Sequence, residues 1–215
     1  MTPEDLPTVS IESIRETSER ADKRTWGVVL AAGKSTRYGE SNKLLTDIDG
    51  APLVRHAAKT LVGSSLDGVT VIVGYEGDCV RDALNDLPVE IRENSDYEAG
   101  QSTSVRDGVV AARDHDADAV LVALGDMPAV DVASINLLLE AYERGVADIL
   151  AAACDGRRGN PVLFDERFFD RLADIEGDVG GRGLLTERFG ARAVETGNPG
   201  VLEDIDRPVD VDEFL

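Results

Sequence analysis

Residues 28–43 read VVLAAGKSTRYGESNK and hold the most informative grouping in the chain. The apolar run 28–32 stops at Gly33. The polar stretch beyond it carries a second glycine and three cations, Lys34, Arg37 and Lys43, before the chain turns apolar again at Leu44. A short apolar run closed by glycine reads as a buried parallel strand. The loop at its carboxyl end can turn backbone N–H groups towards a polyphosphate, and the cations can neutralise it. This is the layout of a grip on a nucleoside triphosphate. Two better-known phosphate loops do not fit. Gly33-Lys34-Ser35-Thr36 looks like the end of a Walker A motif, but that motif needs glycine at position 28, where Val28 stands. Gly27 misses by one residue, and no GxGxxG is present. Taken alone, the stretch also fits a solvated loop after a strand, with surface cations.

Asp126 follows the apolar run 119–124, so it falls at the carboxyl end of a second strand. A carboxylate there, facing a phosphate grip, is a hard oxygen ligand for Mg²⁺, which stabilises charge during phosphoryl transfer. The other reading of Asp126 is local: a cap for the helix near 131, or an Asx turn with Met127 and Pro128. The segment DIDRPVD at 204–210 offers Asp204 and Asp206 as further carboxylates; as plain sequence it is an acidic stretch in an acidic chain. In AGQSTS at 99–104 a loop opens a helix, which Ser102 or Thr103 can cap. Gly100 lets a flat base approach the backbone. Asn160-Pro161 reads as a turn before an edge strand, and 178–181 as a glycine-rich loop. His56 and His115 show no partner pattern. A phosphate nucleophile needs no general base, because its oxygen is already anionic.

These groups need a scaffold that brings several strand ends together. Strands are expected at 27–32, 69–74, 89–92, 119–124, 148–153 and 161–164. Helices are expected at 53–62, 76–86, 102–113, 131–144, 166–173 and 181–189. The alternation implies an α/β fold in three layers, a mostly parallel sheet with helices on both faces. Ligands of such sheets sit at the carboxyl ends of the strands, where Gly33, Gly74 and the pair Gly125 and Asp126 fall. Residues 1–25 are polar and read as a flexible arm with a helical turn or two around 11–20; residues 26–215 read as one domain.

The 215 residues include 42 acids against 22 lysines and arginines, a net charge of −20. Such a balance argues against nucleic acid or an anionic membrane surface as partner. Anionic substrates would also be repelled, so the chain reads as halophilic: in a cytoplasm near 1 M salt the screening length falls to roughly 3 Å. An ordinary acidic protein is the plainer alternative. Cys79 and Cys154 lie far apart with no metal-binding spacing, as small core residues of a reducing compartment. With no long apolar run and no apolar leader, a cytoplasmic protein is expected.

LAAGKSTRYGESNK at 30–43 resembles the LAAGxSxRxGxxK motif of the nucleotidyltransferases that act on molybdenum cofactor. Gly100-Gln101-Ser102-Thr103-Ser104, LGDMP at 124–128, RRGNPVLF at 157–164, GDVGGRGLL at 177–185 and DIDRPVD fit the same family in order. RRGNP and GDVGGR resemble the cytidylyltransferase branch more than the guanylyltransferase branch. Two departures are visible: three residues separate Gly39 from Lys43 where the motif has two, and Asn160 stands where many cytidylyltransferases carry histidine. The resemblance implies a single Rossmann-like domain that joins CTP to molybdopterin with release of pyrophosphate. It implies Arg37, Lys43 and Asp126 as catalytic groups, and Asp126 with Asp206 (or Asp204) as ligands of Mg²⁺. It puts the nucleotide on Leu30, Ala31, Ala32, Gly33, Lys34, Gly74, Gly100, Gln101 and Ser102. Of these, Lys34 has the character of a surface cation. Arg158, Asn160, Asp178 and Arg182 would face the pterin and its phosphate. The alternatives are the same chemistry with GTP, a sugar- or lipid-phosphate nucleotidyltransferase, and a non-catalytic carrier delivering cofactor to a molybdoenzyme.

Overall fold

Strands and helices alternate along the chain as the hydrophobic pattern requires. The computed structural model describes residues 6–16, 21–35, 38–39, 41–185 and 189–214. The strands are β1 (Thr8–Val9), β2 (Thr25–Ala31), β3 (Asp47–Ile48), β4 (Ala51–Pro52), β5 (Gly68–Val73), β6 (Glu90–Glu93), β7 (Ala119–Leu124), β8 (Ile149–Cys154), β9 (Arg157–Asp165) and β10 (Arg192–Glu195). The helices are α1 (Ile11–Glu16), α2 (Leu53–Val62), α3 (Gly77–Ala83), α4 (Gln101–Asp114), α5 (Val132–Glu143), α6 (Phe169–Ala173) and α7 (Pro208–Phe214). No described helix is long and apolar enough to cross a membrane.

Eight strands form one sheet in the order β1-β10-β8-β9-β7-β2-β5-β6. β9 runs antiparallel to both its neighbours, β7 and β8, and the other pairings in this sheet are parallel. Successive residues of a strand face opposite sides, and β2 uses this to feed two cores. Val29 and Ala31 pack with Val54, Leu61 and Leu138 of α2 and α5. Val28 and Leu30 pack with Val105 and Val109 of α4, in a cluster that extends to Leu172 of α6. This is a three-layer, Rossmann-like α/β domain. α4 lies close on the sheet because position 108 is glycine: a Cβ there would meet Val28 Cγ1 at 2.6 Å.

Several elements differ from the sequence expectation. The segment 6–16 is docked, where the sequence suggests a loose arm. Thr8 and Val9 pair with Ala193 and Val194 of β10, and Leu6 and Ile14 are buried. Three buried or half-buried apolar residues, Leu6, Val9 and Ile14, supply the drive that the polar average conceals. β9 is interior, so Asn160-Pro161 does not open an edge strand. Pro161 is tolerated there because it falls at the irregularity between the β8 partners Ala151 and Ala153, where a missing N–H breaks no regular ladder. The α-helix expected at 181–189 is a 3₁₀ segment, Gly177–Leu184, whose four glycines do not sustain an α-helix. The hairpin β3–β4 turns at Asp49 and Gly50, both with positive φ, and Asp47 Oδ1 accepts the Gly50 N–H at 3.0 Å.

A buried carboxylate ties α5 to the sheet. Tyr142 Oη donates to Asp165 Oδ2 at 2.8 Å, and the other oxygen of Asp165 accepts from Arg167 N and Nε at 3.1 and 2.9 Å. Burial and the Asp165 carboxylate push the Tyr142 phenol well above its ordinary range. Tyr142→Phe should therefore cost about 1–3 kcal/mol, since it leaves a buried charge short of a donor. Urea denaturation reads this directly, and an unchanged midpoint would show that Asp165 needs no phenol.

Candidate active site

Two strand-end segments and the stretch before α7 converge on one ammonium group. Lys43 opens the 3₁₀ turn Lys43–Leu45 after β2. Asn42 caps that turn: its Oδ1 accepts the Leu44 N–H at 3.1 Å, and its Nδ2 donates to the Tyr75 carbonyl at 3.3 Å. With Leu44 buried beneath, the lysine backbone is held from both sides. Its Nζ lies 2.6 Å from Asp126 Oδ2 and 2.8 Å from Asp206 Oδ1.

Asp126 follows β7, one residue after Gly125, whose N–H donates to the Leu30 carbonyl at 3.0 Å. That bond sets the end of β7 beside the end of β2. Asp206 arrives from far along the chain through Ile205. The Ile205 side chain is buried with Ile48, Leu53 and Val211, and its N–H donates to the Asp126 carbonyl at 3.0 Å. Asp204 and Asp206 flank this anchor. The Asp210 carboxylate then accepts the N–H groups of Asp206 and Arg207 at 2.9 and 2.7 Å. As a result Asp126, Asp204 and Asp206 bring carboxylate oxygens within 4.8 Å of one another.

Two cavities open on this cluster. The first, about 450 Å³, is lined by Ala32, Gly33, Lys34 and Ser35 of the loop after β2, by Tyr97, Glu98, Gly100, Gln101 and Ser104, and by Lys43, Asp126 and Asp206. The second, about 260 Å³, is lined by Arg157, Arg158, Gly159, Asn160, Gly181 and Asp204 among others. Leu30, Gln101 and Leu124 border both.

Residues 27–193 match the MobA-like NTP transferase domain family. The chain belongs to this family. It is 33% identical to the purine catabolism protein PucB of Bacillus subtilis (strain 168) over 195 residues, covering 86% of this chain and 93% of that one. It is 31% identical to the nicotine blue oxidoreductase of Paenarthrobacter nicotinovorans over 168 residues, covering 75% and 81% of the two chains. Among solved structures, Rv0371c of Mycobacterium tuberculosis H37Rv in complex with manganese superposes with a TM-score of 0.74 at 26% identity, over 89% of this chain and 98% of that one. The protein is a nucleotidyltransferase with a MobA-like domain.

Within this MobA-like site, Leu30, Ala32, Gly33, Lys34, Gly100 and Gln101 line the first cavity, and Arg158 and Asn160 the second. Ala31 does not line either cavity; strand alternation turns it into the opposite core. Gly74 stands behind the cavity wall, where a Cβ would come within 2.9 Å of Ala32 and Tyr97. Ser102 is buried, and Ser104 lines the cavity in its place. Arg37 lies outside the described residues, as do the side chains of Asp178 and Arg182, though Gly181 between them borders the second cavity. Lys34 is an exposed cation on the wall of the first cavity, where it pairs with Glu98 and stands 5.8 Å from the centre of the Tyr97 ring.

Tyr97, Glu98, Ser104 and Asn42 were not expected at the site. A polar residue directly before Lys43-Leu44 was the available sign for the Asn42 cap, and an aromatic just before Gly100 the sign for Tyr97.

Charge is concentrated where the cavities meet. Burial alone would lower the Lys43 pKa, but the Asp126 and Asp206 carboxylates outweigh it and hold the ammonium charged. Desolvation, with the Asp126 and Asp206 carboxylates nearby, raises the Asp204 carboxyl above its ordinary value. Asp126 Oδ1 is buried with no hydrogen-bond partner. An acceptor left in that state beside two further carboxylates suits a hard cation, so the donor set fits a divalent metal.

Proposed function

We propose that the protein transfers CMP from CTP to the terminal phosphate of a molybdopterin-type cofactor and releases pyrophosphate. The observation that carries this reading is the junction of two cavities at Lys43, Asp126, Asp204 and Asp206. The first cavity suits the nucleotide, because the loop after β2 lines it and Gly100 leaves its wall open to a flat base. The second suits an anionic pterin, because Arg157 and Arg158 are cations in a chain that has few.

In this reading an oxygen of the pterin phosphate attacks the α-phosphorus in line. The new P–O bond forms as the bond to the bridging oxygen of the β-phosphate breaks, and that electron pair leaves with pyrophosphate. Lys43 neutralises charge on the α-phosphate and on the leaving group. Holding both reactants at one junction supplies the orientation that dominates such transfers. Arg37 would add a bidentate phosphate contact. Asp126, with Asp206 or Asp204, would hold Mg²⁺, which supplies Lewis-acid stabilisation of the phosphates.

The preference for CTP rests on the likeness of RRGNPVLF and GDVGGRGLL to the cytidylyltransferase branch. The test is pyrophosphate release with purified molybdopterin and each of the four nucleoside triphosphates. CTP should give the highest kcat/KM. A preference for GTP moves the chain to guanylyl transfer, and release only with a sugar phosphate as acceptor replaces the pterin. The name of the Paenarthrobacter relative raises an oxidoreductase reading, but no observation on this chain favours it over transfer.

The acidic surface fits a high-salt cytoplasm. With 42 acids against 22 bases, self-repulsion is relieved as salt rises. The thermal midpoint should therefore climb with KCl into the molar range, and a midpoint independent of salt contradicts the halophilic reading.

A further inference from the structure

We propose that Lys43 is an internal counter-ion that keeps the carboxylate site until a divalent cation is held there, so that metal loading releases its ammonium to the nucleotide phosphates. The proposal rests on the transferase reading above and concerns how the same site is switched on.

The geometry points to competition. Lys43 Nζ lies 2.6 Å from Asp126 and 2.8 Å from Asp206, on two of the three carboxylates that share a 4.8 Å cluster. These are oxygens a hard divalent cation would take. Two of the three ammonium protons are committed to carboxylates, so the group serves phosphates fully only after it leaves them. The Asn42 cap fixes the backbone of the turn, and the four-carbon stem is flexible, so the movement is confined to the side chain. The charge count agrees. Three carboxylates against one ammonium leave the cluster acidic, and Asp126 Oδ1 still has no partner.

The consequence is a pair of effects with opposite signs. Removing the ammonium should cripple turnover and yet tighten metal binding. The experiment is a Mn²⁺ titration without nucleotide or pterin, following the paramagnetic resonance signal of the free ion, on proteins whose folding is checked by thermal unfolding. Lys43→Met should bind Mn²⁺ about 10- to 100-fold more tightly than wild type, given the strength of charge interactions at contact distance. Lys59→Met, which removes the same charge from an exposed position on α2, should stay within about twofold because salt screens it. Adding Asp126→Asn to Lys43→Met should abolish the gain.

Equal or weaker affinity in Lys43→Met overturns the proposal. So does a gain matched by Lys59→Met, or an absence of Mn²⁺ binding in both wild type and Lys43→Met. With no substrate present, failure of CTP-dependent pyrophosphate release would sink the substrate reading and leave this result standing. An unchanged Mn²⁺ affinity would do the reverse.

Discussion

Asp126→Asn is expected to bring pyrophosphate release down by about 10³-fold or more, the scale set by losing a preorganised charge at a phosphoryl-transfer centre. The substitution keeps the shape of the side chain and removes its charge. Asp126 Oδ2 is the nearer of the two carboxylate partners of Lys43, at 2.6 Å, and Oδ1 is the buried acceptor without a partner. Both contributions disappear together. The fold should survive, because Ile205 is held by the backbone carbonyl of Asp126 and not by its side chain. Steady-state kinetics beside a thermal melt separates the two effects. Turnover near wild type with an unchanged melt would remove this carboxylate from the chemistry.

Lys43→Ala should lower turnover by about 10²- to 10³-fold, the loss typical of one preorganised group that stabilises transition-state charge. Lys34→Ala should cost far less and act mainly on KM. The contrast follows from environment. The Lys43 side chain is 12% exposed between two carboxylates, whereas that of Lys34 is 43% exposed and pairs with Glu98, itself 65% exposed. A charge at the mouth of the cavity is screened, and one at the junction is not. Losses of the same size in kcat at both positions would mean that the loop acts only through its summed charge.

The parts of the site legible in the sequence are those written locally. Lys43 and Asp126 each follow an apolar run that ends at a glycine, and a strand end with a polar residue beyond it can be read from a dozen positions. The third part was not local. Asp204 and Asp206 reach the junction because Ile205 fits between Ile48 and Leu53 and bonds to the Asp126 backbone, a tertiary contact that no periodicity encodes. Only the family resemblance pointed to it.

Helix phase was the other obstacle. The AGQSTS segment marks a helix start, but which serine faces the cavity depends on a boundary known to one residue. With Gln101 as the first residue, Gln101, Ser104 and Val105 border the cavities and Ser102 turns inwards. Short elements escaped for want of length. β1 has two residues and β10 has four. Each is stabilised by the sheet or helix it packs on and not by its own pattern. Pro161 misled for a physical reason. Proline argues against an interior strand unless the ladder is already broken, and here it is broken at the β8 irregularity.

In the proposed function, Lys43 and the carboxylate cluster join a nucleotide to an acceptor phosphate across the two cavities. The most direct measurement uses CTP radiolabelled at its α-phosphorus, incubated with the protein, Mg²⁺ and molybdopterin. The expected result is label on the pterin as one CMP for each pyrophosphate released, with both abolished by Asp126→Asn. Label that stays in CTP, or appears only as free CMP, would contradict it.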